Sequence, residues 1–213
     1  MKNSIITIVD NHKLFREGVE IILKQFDFVE KVYQASNGKE YLDMLDVVAP
    51  DVALMDINMP IIDGVKATIE SKKRVGTKII ALTMHDNITY YNKMVEAGVD
   101  GFITKETDAE ELETAIKKVI NGEHYFSQEI LKSVIENLNF QTKNTVQDIS
   151  FSDREKEILK QMTKGLSNQE IADELFISSR TVERHKENMY LKTNSKNGVS
   201  LIAFAIKQNV IKV

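Results

Sequence analysis

The chain has 213 residues, 42% hydrophobic and 28% charged, which is the balance of an ordinary globular protein of one or two domains. It contains no cysteine, so disulfide bonds, cysteine nucleophiles and cysteine-ligated metal sites are excluded. The net charge of −4 is unevenly distributed, because residues 151–213 carry 11 Lys and Arg against 8 Asp and Glu, a net of +3, and residues 1–150 carry −7; this favours a polyanionic partner for the C-terminal part only.

The apolar run nearest the N-terminus, residues 5–9, is shorter than the core of a secretion signal or a membrane span. The sequence therefore predicts a cytoplasmic protein without membrane contact.

The first 122 residues alternate between β-rich runs and stretches with helical spacing. Strands are predicted at residues 4–9, 31–35, 51–55, 78–83 and 100–104. Several of them, such as IITIV and IIALT, are nearly continuous apolar runs, which indicates strands covered on both faces. A capping box of Thr107 and Glu110 is predicted to open the last helix. The pattern predicts a doubly wound, five-stranded parallel sheet, an α/β domain that ends near Gly122.

Polar side chains stand at the C-terminal ends of four of these strands: Asp10 and Asn11 after the first, Asp56 after the third, Thr83 after the fourth and Lys105 after the fifth. Ligands of open α/β sheets bind outside this edge. Oxygen donors grouped there suit Mg²⁺, and a carboxylate beside such an ion can attack phosphorus while a lysine neutralises the transferred group. Each residue alone has an ordinary structural explanation, so their common position is what indicates a site.

Four motifs of residues 1–122 resemble the receiver domains of two-component response regulators: IVDNH at 8–12, LMDINMPIIDG at 54–64, ALTMHD at 81–86 and AGVDGFITK at 97–105. The resemblance implies a flavodoxin-like fold in which Asp56 accepts a phosphoryl group from a sensor histidine kinase. It further implies Mg²⁺ ligands at Asp10, Asp56 and the main-chain carbonyl of Asn58, phosphoryl contacts from Thr83 and Lys105, and a switch formed by Thr83 and Phe102.

One position departs from that family, because Asn11 stands where a second acid is usual. An amide oxygen can coordinate Mg²⁺ without a full negative charge, so Asn11 predicts a weak ligand, weaker metal binding and slower phosphotransfer. One alternative is a regulator with a degenerate receiver that binds DNA independently of phosphorylation. Another is a Mg²⁺-dependent phosphatase, but it would need an acid where Asn58 stands, and an amide cannot titrate. We therefore do not expect an enzyme.

Residues 123–150 separate the two halves of the chain. The run SQEILKSVIENL keeps helical spacing, and the polar stretch after it has no period. We predict a helix followed by a flexible linker.

Residues 151–213 change to a helical pattern with four predicted helices. Capping boxes, Ser152 with Glu155 and Ser167 with Glu170, open the first two. A tight turn at 176–178 leads into the third, which is typical of a helix-turn-helix domain. The run SDREKEILKQMTKGLSNQEIADELFISSRTVERHKENMYLKT resembles the LuxR-type DNA-binding domain of the NarL/FixJ response regulators, and the similarity covers essentially all of 151–213.

This second resemblance implies that the third helix reads DNA and that the fourth supports dimerisation. The outward stripe of the third helix has spacing i, i+3, i+4, i+7, which suits a major groove, although a solvated face with ion pairs has the same spacing. The candidate DNA contacts are Glu183, Arg184 and Glu187 for bases, and Arg180, Thr181, Lys186 and Lys192 for the backbone.

Together, the two halves predict a transcription regulator that is switched by phosphorylation of Asp56. Its predicted partners are double-stranded DNA, a sensor histidine kinase and, in the active state, a second copy of the chain.

Overall fold

The structure, a computed structural model, describes residues 3–74, 76–84, 88–127 and 149–211. The chain divides into two units, Met1–Tyr125 and Phe126–Val213, and each is described by itself. The helix and linker predicted within 123–150 lie mostly outside the described residues. Elements are numbered in chain order over the residues that are described.

The first unit alternates strands and helices along the chain. Its elements are β1 (Ser4–Val9), α1 (Lys13–Leu23), β2 (Val29–Ala35), α2 (Gly38–Met44), β3 (Val52–Asp56), α3 (Gly64–Arg74), β4 (Lys78–Thr83), α4 (Ile88–Ala97), β5 (Gly101–Thr104), α5 (Ala109–Ile120) and β6 (Tyr125–Phe126). The sheet order is β2-β1-β3-β4-β5-β6, and the first five strands pair in parallel. The predicted parallel α/β fold is confirmed.

The strand count differs from the five that the sequence predicts. A sixth strand, β6, adjoins β5, and the Tyr125 amide donates to the main-chain oxygen of Asp100 at 3.2 Å. Two residues are too few to produce an alternating pattern, which explains why sequence periodicity does not detect this strand.

The sheet is buried on both faces. All five residues of β3 are buried, and α1 and α5 pack on one face in a cluster with the inward residues of β1, β3, β4 and β5. Ile103 and Leu82 belong to that cluster. Because side chains alternate along a strand, Phe102 and Thr83 face the opposite side. Polar groups of the central strands can therefore meet solvent only at the ends of the sheet.

The start of α5 corrects one prediction. Asp108, not Thr107, is the N-cap residue, and its side chain accepts the amide of Glu111 at 2.8 Å. The Thr107 hydroxyl instead lies 3.3 Å from the Thr104 hydroxyl. The capping box of Thr107 and Glu110 is therefore wrong by one residue, because an aspartate is at least as good an N-cap as a threonine.

From residue 149 onward, the described residues of the second unit form helices α6 (Asp153–Met162), α7 (Asn168–Glu174), α8 (Ser179–Thr193) and α9 (Gly198–Lys207). Both predicted capping boxes, at Ser152 and Ser167, are confirmed. The core is formed by buried apolar residues from all four helices, among them Ile158, Ile171, Val182 and Leu201. Of the helices that the structure describes, none combines the length and the apolar character needed to cross a bilayer.

A tight turn joins α7 to α8. Phe176 adopts a left-handed conformation with φ 55°, and the amide of Ile177 donates to the oxygen of Ala172 at 3.0 Å. This is a Schellman-type helix end. The Ser178 side chain then accepts the amide of Thr181 and caps α8. The turn fixes the direction in which α8 leaves α7, as the predicted helix-turn-helix requires.

Candidate functional site

Three charged side chains meet at the C-terminal edge of the sheet. Asp10 follows β1, Asp56 ends β3 and Lys105 follows β5. The Lys105 ammonium lies 2.7 Å from Asp10 Oδ2 and 3.1 Å from Asp56 Oδ1, and the three side chains are at most 7% exposed. The predicted convergence of these residues is therefore present, while their chemical roles stay predictions.

The order of the strands brings this pocket together. β3 lies between β1 and β4, so a carboxylate at its end is surrounded by the ends of its neighbours. The amide of Lys105 donates to the main-chain oxygen of Thr83 at 2.8 Å, which ties the lysine segment to the end of β4. The chain crossovers thus place a lysine from residue 105 beside an aspartate from residue 10.

The start of α3 lies against the backbone of Asp56. A Cβ at Gly64 would lie 2.1 Å from the main-chain oxygen of Asp56, and the Gly64 amide donates to the Ile57 oxygen at 3.0 Å. A real Cβ cannot approach an oxygen so closely. Glycine at position 64 therefore allows α3 to begin directly behind Asp56. The motif LMDINMPIIDG includes this glycine, but the sequence alone does not show why no other residue fits there.

The predicted switch residues share one face of the sheet. Phe102 is fully buried, and the Thr83 hydroxyl donates to the main-chain oxygen of Met84 at 2.9 Å. The register pairs Ala81 with Phe102 and Thr83 with Thr104. Thr83 and Phe102 are therefore diagonal neighbours, a separation within reach of an aromatic side chain.

In the second unit, the predicted outward stripe of α8 is exposed along its whole length: Arg180, Glu183, Arg184 and Glu187 all face solvent. Thr181 and Lys186 are half-buried, and the Lys186 ammonium donates to the Asn168 side chain at 2.8 Å. A stripe of two arginines and two glutamates is thus available to a partner.

Both halves of the chain match known families. Residues 6–117 match the family described as "Response regulator receiver domain", and residues 149–205 match "Bacterial regulatory proteins, luxR family". The chain belongs to the two-component response regulators.

Three relatives show that the two domains occur together over a full chain. The chain is 33% identical to the transcriptional regulatory protein DegU of Brevibacillus brevis, covering 98% of this chain and 95% of that protein. It is 35% identical to the oxygen regulatory protein NreC of Staphylococcus aureus strain JH9, covering 97% and 99%. The crystal structure of the response regulator ChrA, from a heme-sensing two-component system, is 29% identical with a TM-score of 0.57, covering 99% and 100%. The response regulator described here is a member of the NarL/FixJ subfamily and a transcription regulator with a receiver domain and a LuxR-type DNA-binding domain.

The electrostatics of the receiver pocket disfavour a free Asp56 carboxylate. Burial raises the pKa of Asp56, the negative charge of Asp10 raises it further, and the Lys105 ammonium only partly opposes them. Any additional cation in the pocket would therefore favour the ionised form of Asp56.

The donors in the receiver pocket fit a hard divalent cation. Carboxylate oxygens of Asp10 and Asp56 and a ring nitrogen of His12 lie within 4.8 Å of one another. Asp10 Oδ2 is buried and contacts the Lys105 ammonium. That contact does not have the geometry of a hydrogen bond, and no other group in the described part of the chain forms a hydrogen bond with this oxygen. Asn11 is exposed beside Asp10. Oxygen atoms of this kind are what Mg²⁺ prefers.

Two residues that the sequence pattern does not indicate, His12 and Arg16, hold Asp10 in place. His12 donates its amide to Asp10 Oδ1 at 2.7 Å, and its ring Nδ1 lies 3.0 Å from the same oxygen. The Arg16 guanidinium donates to the Asp10 main-chain oxygen at 2.6 Å. The IVDNH motif already contained His12, but nothing in the spacing indicated that its side chain turns back to the acid.

Lys192 has a different environment from the one predicted for a phosphate contact. Its ammonium donates to Glu155 Oε2 at 2.7 Å and to the Ser150 oxygen at 2.9 Å, and lies 4.2 Å from the centre of the Phe151 ring. Burial alone would raise the pKa of Glu155, but the bonds from Lys192 and Ser152 outweigh it and the pKa is lowered. Lys192 thus joins α8 to α6, and its predicted contact with the DNA backbone stays a prediction.

Proposed function

We propose that Asp56 accepts a phosphoryl group from the histidine of a sensor kinase, and that this event controls the binding of α8 to double-stranded DNA. The observation that carries the proposal is the contact of one buried ammonium, Lys105, with both Asp10 and Asp56. A lysine in this position can exchange its contact with the Asp56 carboxylate for a contact with the oxygens of a phosphoryl group attached to Asp56, and it stays in the pocket while it does so.

In the transfer step, a carboxylate oxygen of Asp56 attacks phosphorus and the bond from phosphorus to the kinase imidazole nitrogen breaks. The imidazole keeps the electron pair and then takes up a proton. Lys105 neutralises part of the negative charge on the transferred oxygens. Asp10, Asp56, the Asn58 carbonyl and, weakly, Asn11 would hold Mg²⁺, which supplies further positive charge at those oxygens.

The signal leaves the pocket through Thr83 and Phe102. The Thr83 hydroxyl exchanges its bond with the Met84 oxygen for a bond with the phosphoryl group, and its diagonal neighbour Phe102 moves with it. Such a change shifts the population between inactive and active receiver states.

The active state binds DNA as a homodimer, because two recognition helices one helical turn apart can read two half-sites. Glu183, Arg184 and Glu187 read base edges, while Arg180, Thr181 and Lys186 contact the backbone. Such a regulator works in the bacterial cytoplasm, where its DNA lies.

The test uses the full chain and a duplex obtained by selection from random sequences with beryllium fluoride-treated protein. We expect beryllium fluoride and Mg²⁺ to raise the DNA affinity of the native chain and to leave Asp56→Asn unchanged. Asp46→Asn, which alters an exposed acid, is the control and should respond like the native chain. An affinity that does not respond in the native chain would favour the alternative, a receiver that is degenerate through Asn11.

The phosphatase alternative has less support, since Asn58 offers no titratable group for acid-base catalysis. The role of Asn11 is tested separately. We expect Asn11→Asp to shift the Mg²⁺ dependence of Asp56 phosphorylation by acetyl phosphate to lower concentrations, as followed by mass spectrometry. Superimposable Mg²⁺ titrations of the two chains would contradict the assignment of Asn11 as a weak ligand.

A further inference from the structure

His12 carries an imidazole at the rim of the receiver pocket. Its side chain is 62% exposed, while that of Asp10 is fully buried. The ring Nδ1 lies 3.0 Å from Asp10 Oδ1, and the main-chain amide of His12 donates to the same oxygen at 2.7 Å. The imidazole therefore lies against the acid and is open to an ion that arrives from solvent.

The spacing of the donors in the pocket matches a coordination shell. A ring nitrogen of His12 and one carboxylate oxygen each from Asp10 and Asp56 lie within 4.8 Å of one another. Bonds of about 2.1 Å to one ion place neighbouring ligands about 3.0 Å apart and opposite ligands about 4.2 Å apart. The 3.0 Å between His12 Nδ1 and Asp10 Oδ1 is therefore also the distance between two neighbouring ligands. Small side-chain rotations allow one ion to bind all three groups.

The charges of the pocket attract a divalent cation. Ionised Asp10 and Asp56 contribute two negative charges, and the Lys105 ammonium neutralises one of them. Asp10 Oδ2 is buried, and no group in the described part of the chain forms a hydrogen bond with it. A bound dication would compensate the remaining negative charge.

The imidazole of His12 bears on which dication the pocket prefers. Mg²⁺ takes oxygen ligands, whereas imidazole suits transition-metal ions. Asn11 offers only an uncharged amide oxygen, so the pocket lacks a further carboxylate that would favour a hard ion. Two carboxylates and one imidazole form a mixed oxygen and nitrogen set, which favours a transition-metal dication.

We propose that His12 is a metal ligand of the receiver pocket, and that it makes the pocket prefer a transition-metal dication such as Mn²⁺ or Co²⁺ to Mg²⁺. This inference rests on the proposed function only in taking Asp10 and Asp56 as ligands of the same ion. His12 adds a direct bond to the transition metal, while Mg²⁺ keeps a water molecule in place of the imidazole.

The experiment is a Mn²⁺ titration of the full chain, followed by electron paramagnetic resonance, with Mg²⁺ as the competitor. We expect His12→Phe and His12→Asn each to raise the Mn²⁺ dissociation constant by about tenfold or more, since even the loss of an outer-shell partner costs about that much. The Mg²⁺ dissociation constant should stay nearly unchanged. Pulsed measurements on bound Mn²⁺ should detect a coordinated nitrogen in the native chain and none in either variant.

His12→Asn distinguishes a ligand from a residue that only positions Asp10. Its amide group can replace the hydrogen bond from the ring to Asp10, but it offers no nitrogen ligand. Native Mn²⁺ affinity in His12→Asn, or equal losses of Mn²⁺ and Mg²⁺ affinity in both variants, overturns the proposal.

His85 provides the matched control. It belongs to the motif ALTMHD and lies outside the described residues, and His85→Gln should keep both the Mn²⁺ affinity and the nitrogen signal. A nitrogen signal that His85→Gln abolishes and the His12 variants keep also overturns the proposal. Phosphorylation of the native chain by acetyl phosphate and Mg²⁺, measured by mass, is a separate measurement, and its absence would refute the proposed function without changing the metal titrations.

Discussion

At the level of single residues, Lys105 only partly neutralises the charge of the receiver pocket. One ammonium is shared by two buried carboxylates, so the receiver pocket keeps an excess of negative charge. Burial and Asp10 both raise the pKa of Asp56, which means that the folded receiver resists ionisation of the group that we propose as the nucleophile. An ionised Asp56 therefore lowers the stability of the folded receiver, and a cation bound in the pocket would offset this cost.

Asp56→Asn should accordingly stabilise the receiver at neutral pH in the absence of Mg²⁺. The folded pKa lies above the ordinary value of 3.8, so native stability falls as pH rises from about 4 through the folded pKa, and the amide removes this loss. The gain should grow with the size of the pKa shift, since a lower pKa in the unfolded chain favours ionisation there. Urea denaturation at pH 4 and pH 7 in EDTA measures it, and the gain should shrink at pH 4. A less stable Asp56→Asn chain at pH 7 would contradict this account.

Lys192 should contribute mainly to stability. Lys192→Met leaves Glu155 buried without its ammonium partner, and we expect a loss of about 2 kcal/mol in the second unit at pH 7. Because the pKa of Glu155 is lowered in the folded state, the native chain loses this stabilisation as pH falls through that pKa, and the two chains should converge in acid. Thermal unfolding against Lys160→Met, an exposed lysine of α6, provides the comparison. Native stability combined with weakened DNA binding would instead support the predicted contact of Lys192 with DNA phosphates.

At the level of elements, α3 approaches the end of β3 so closely that the contact restricts the residue type at position 64. The helix starts where the backbone of Asp56 and Ile57 leaves no room for a side chain at residue 64. By contrast, Gly18 of α1 has open space around it. We therefore expect a larger residue to destabilise the receiver at position 64 and to stabilise it at position 18.

Gly64→Ala should destabilise the receiver by about 2 kcal/mol or more, because overpacking of a fixed backbone costs roughly 1–3 kcal/mol. Gly18→Ala should stabilise it by about 0.5–1 kcal/mol through helix propensity. Chemical denaturation of both variants and of the native chain measures whether each substitution lowers or raises the free energy of unfolding. If Gly64→Ala unfolded at the native denaturant concentration, the helix start would be free to move and the assigned contact would be wrong.

The elements also show what sequence patterns can predict. The runs IITIV and IIALT identify strands because a sheet covered on both faces needs continuous apolar residues, and the edge of that sheet then brings Asp10, Asp56 and Lys105 together. β6 was missed because two residues carry no period. The cap of α5 was misplaced because Thr107 and Asp108 are adjacent, competent caps, and the environment of Lys192 depends on a contact with α6 that helical spacing does not encode.

At the scale of the whole molecule, the chain consists of two units, and its net charge changes sign along the sequence, with −7 over residues 1–150 and +3 over 151–213. Their proposed ligands are chemically distinct, since the receiver would take a cation and a phosphoryl group and the LuxR-type domain is suited to a polyanion. Each ligand should therefore act on the stability of one unit.

Calorimetry of the full chain should show two transitions that respond to different additions. Beryllium fluoride with Mg²⁺ should raise one transition and a selected DNA duplex the other, since a ligand at 100 times its dissociation constant stabilises its own domain by about 2.7 kcal/mol. Asp56→Asn should abolish the first response and keep the second. If both transitions moved together with either addition, the units would unfold as one cooperative body.

The backbone contact behind the acidic residue has a bearing on genetics. Residue 64 has no side chain with which to touch a phosphoryl group, yet any larger residue there displaces the main chain that carries Asp56. A random-mutagenesis screen for loss-of-function alleles of this regulator would therefore recover substitutions at codon 64 as well as at codon 56. The phenotype of a substitution at codon 64 would resemble that of losing the Asp56 carboxylate.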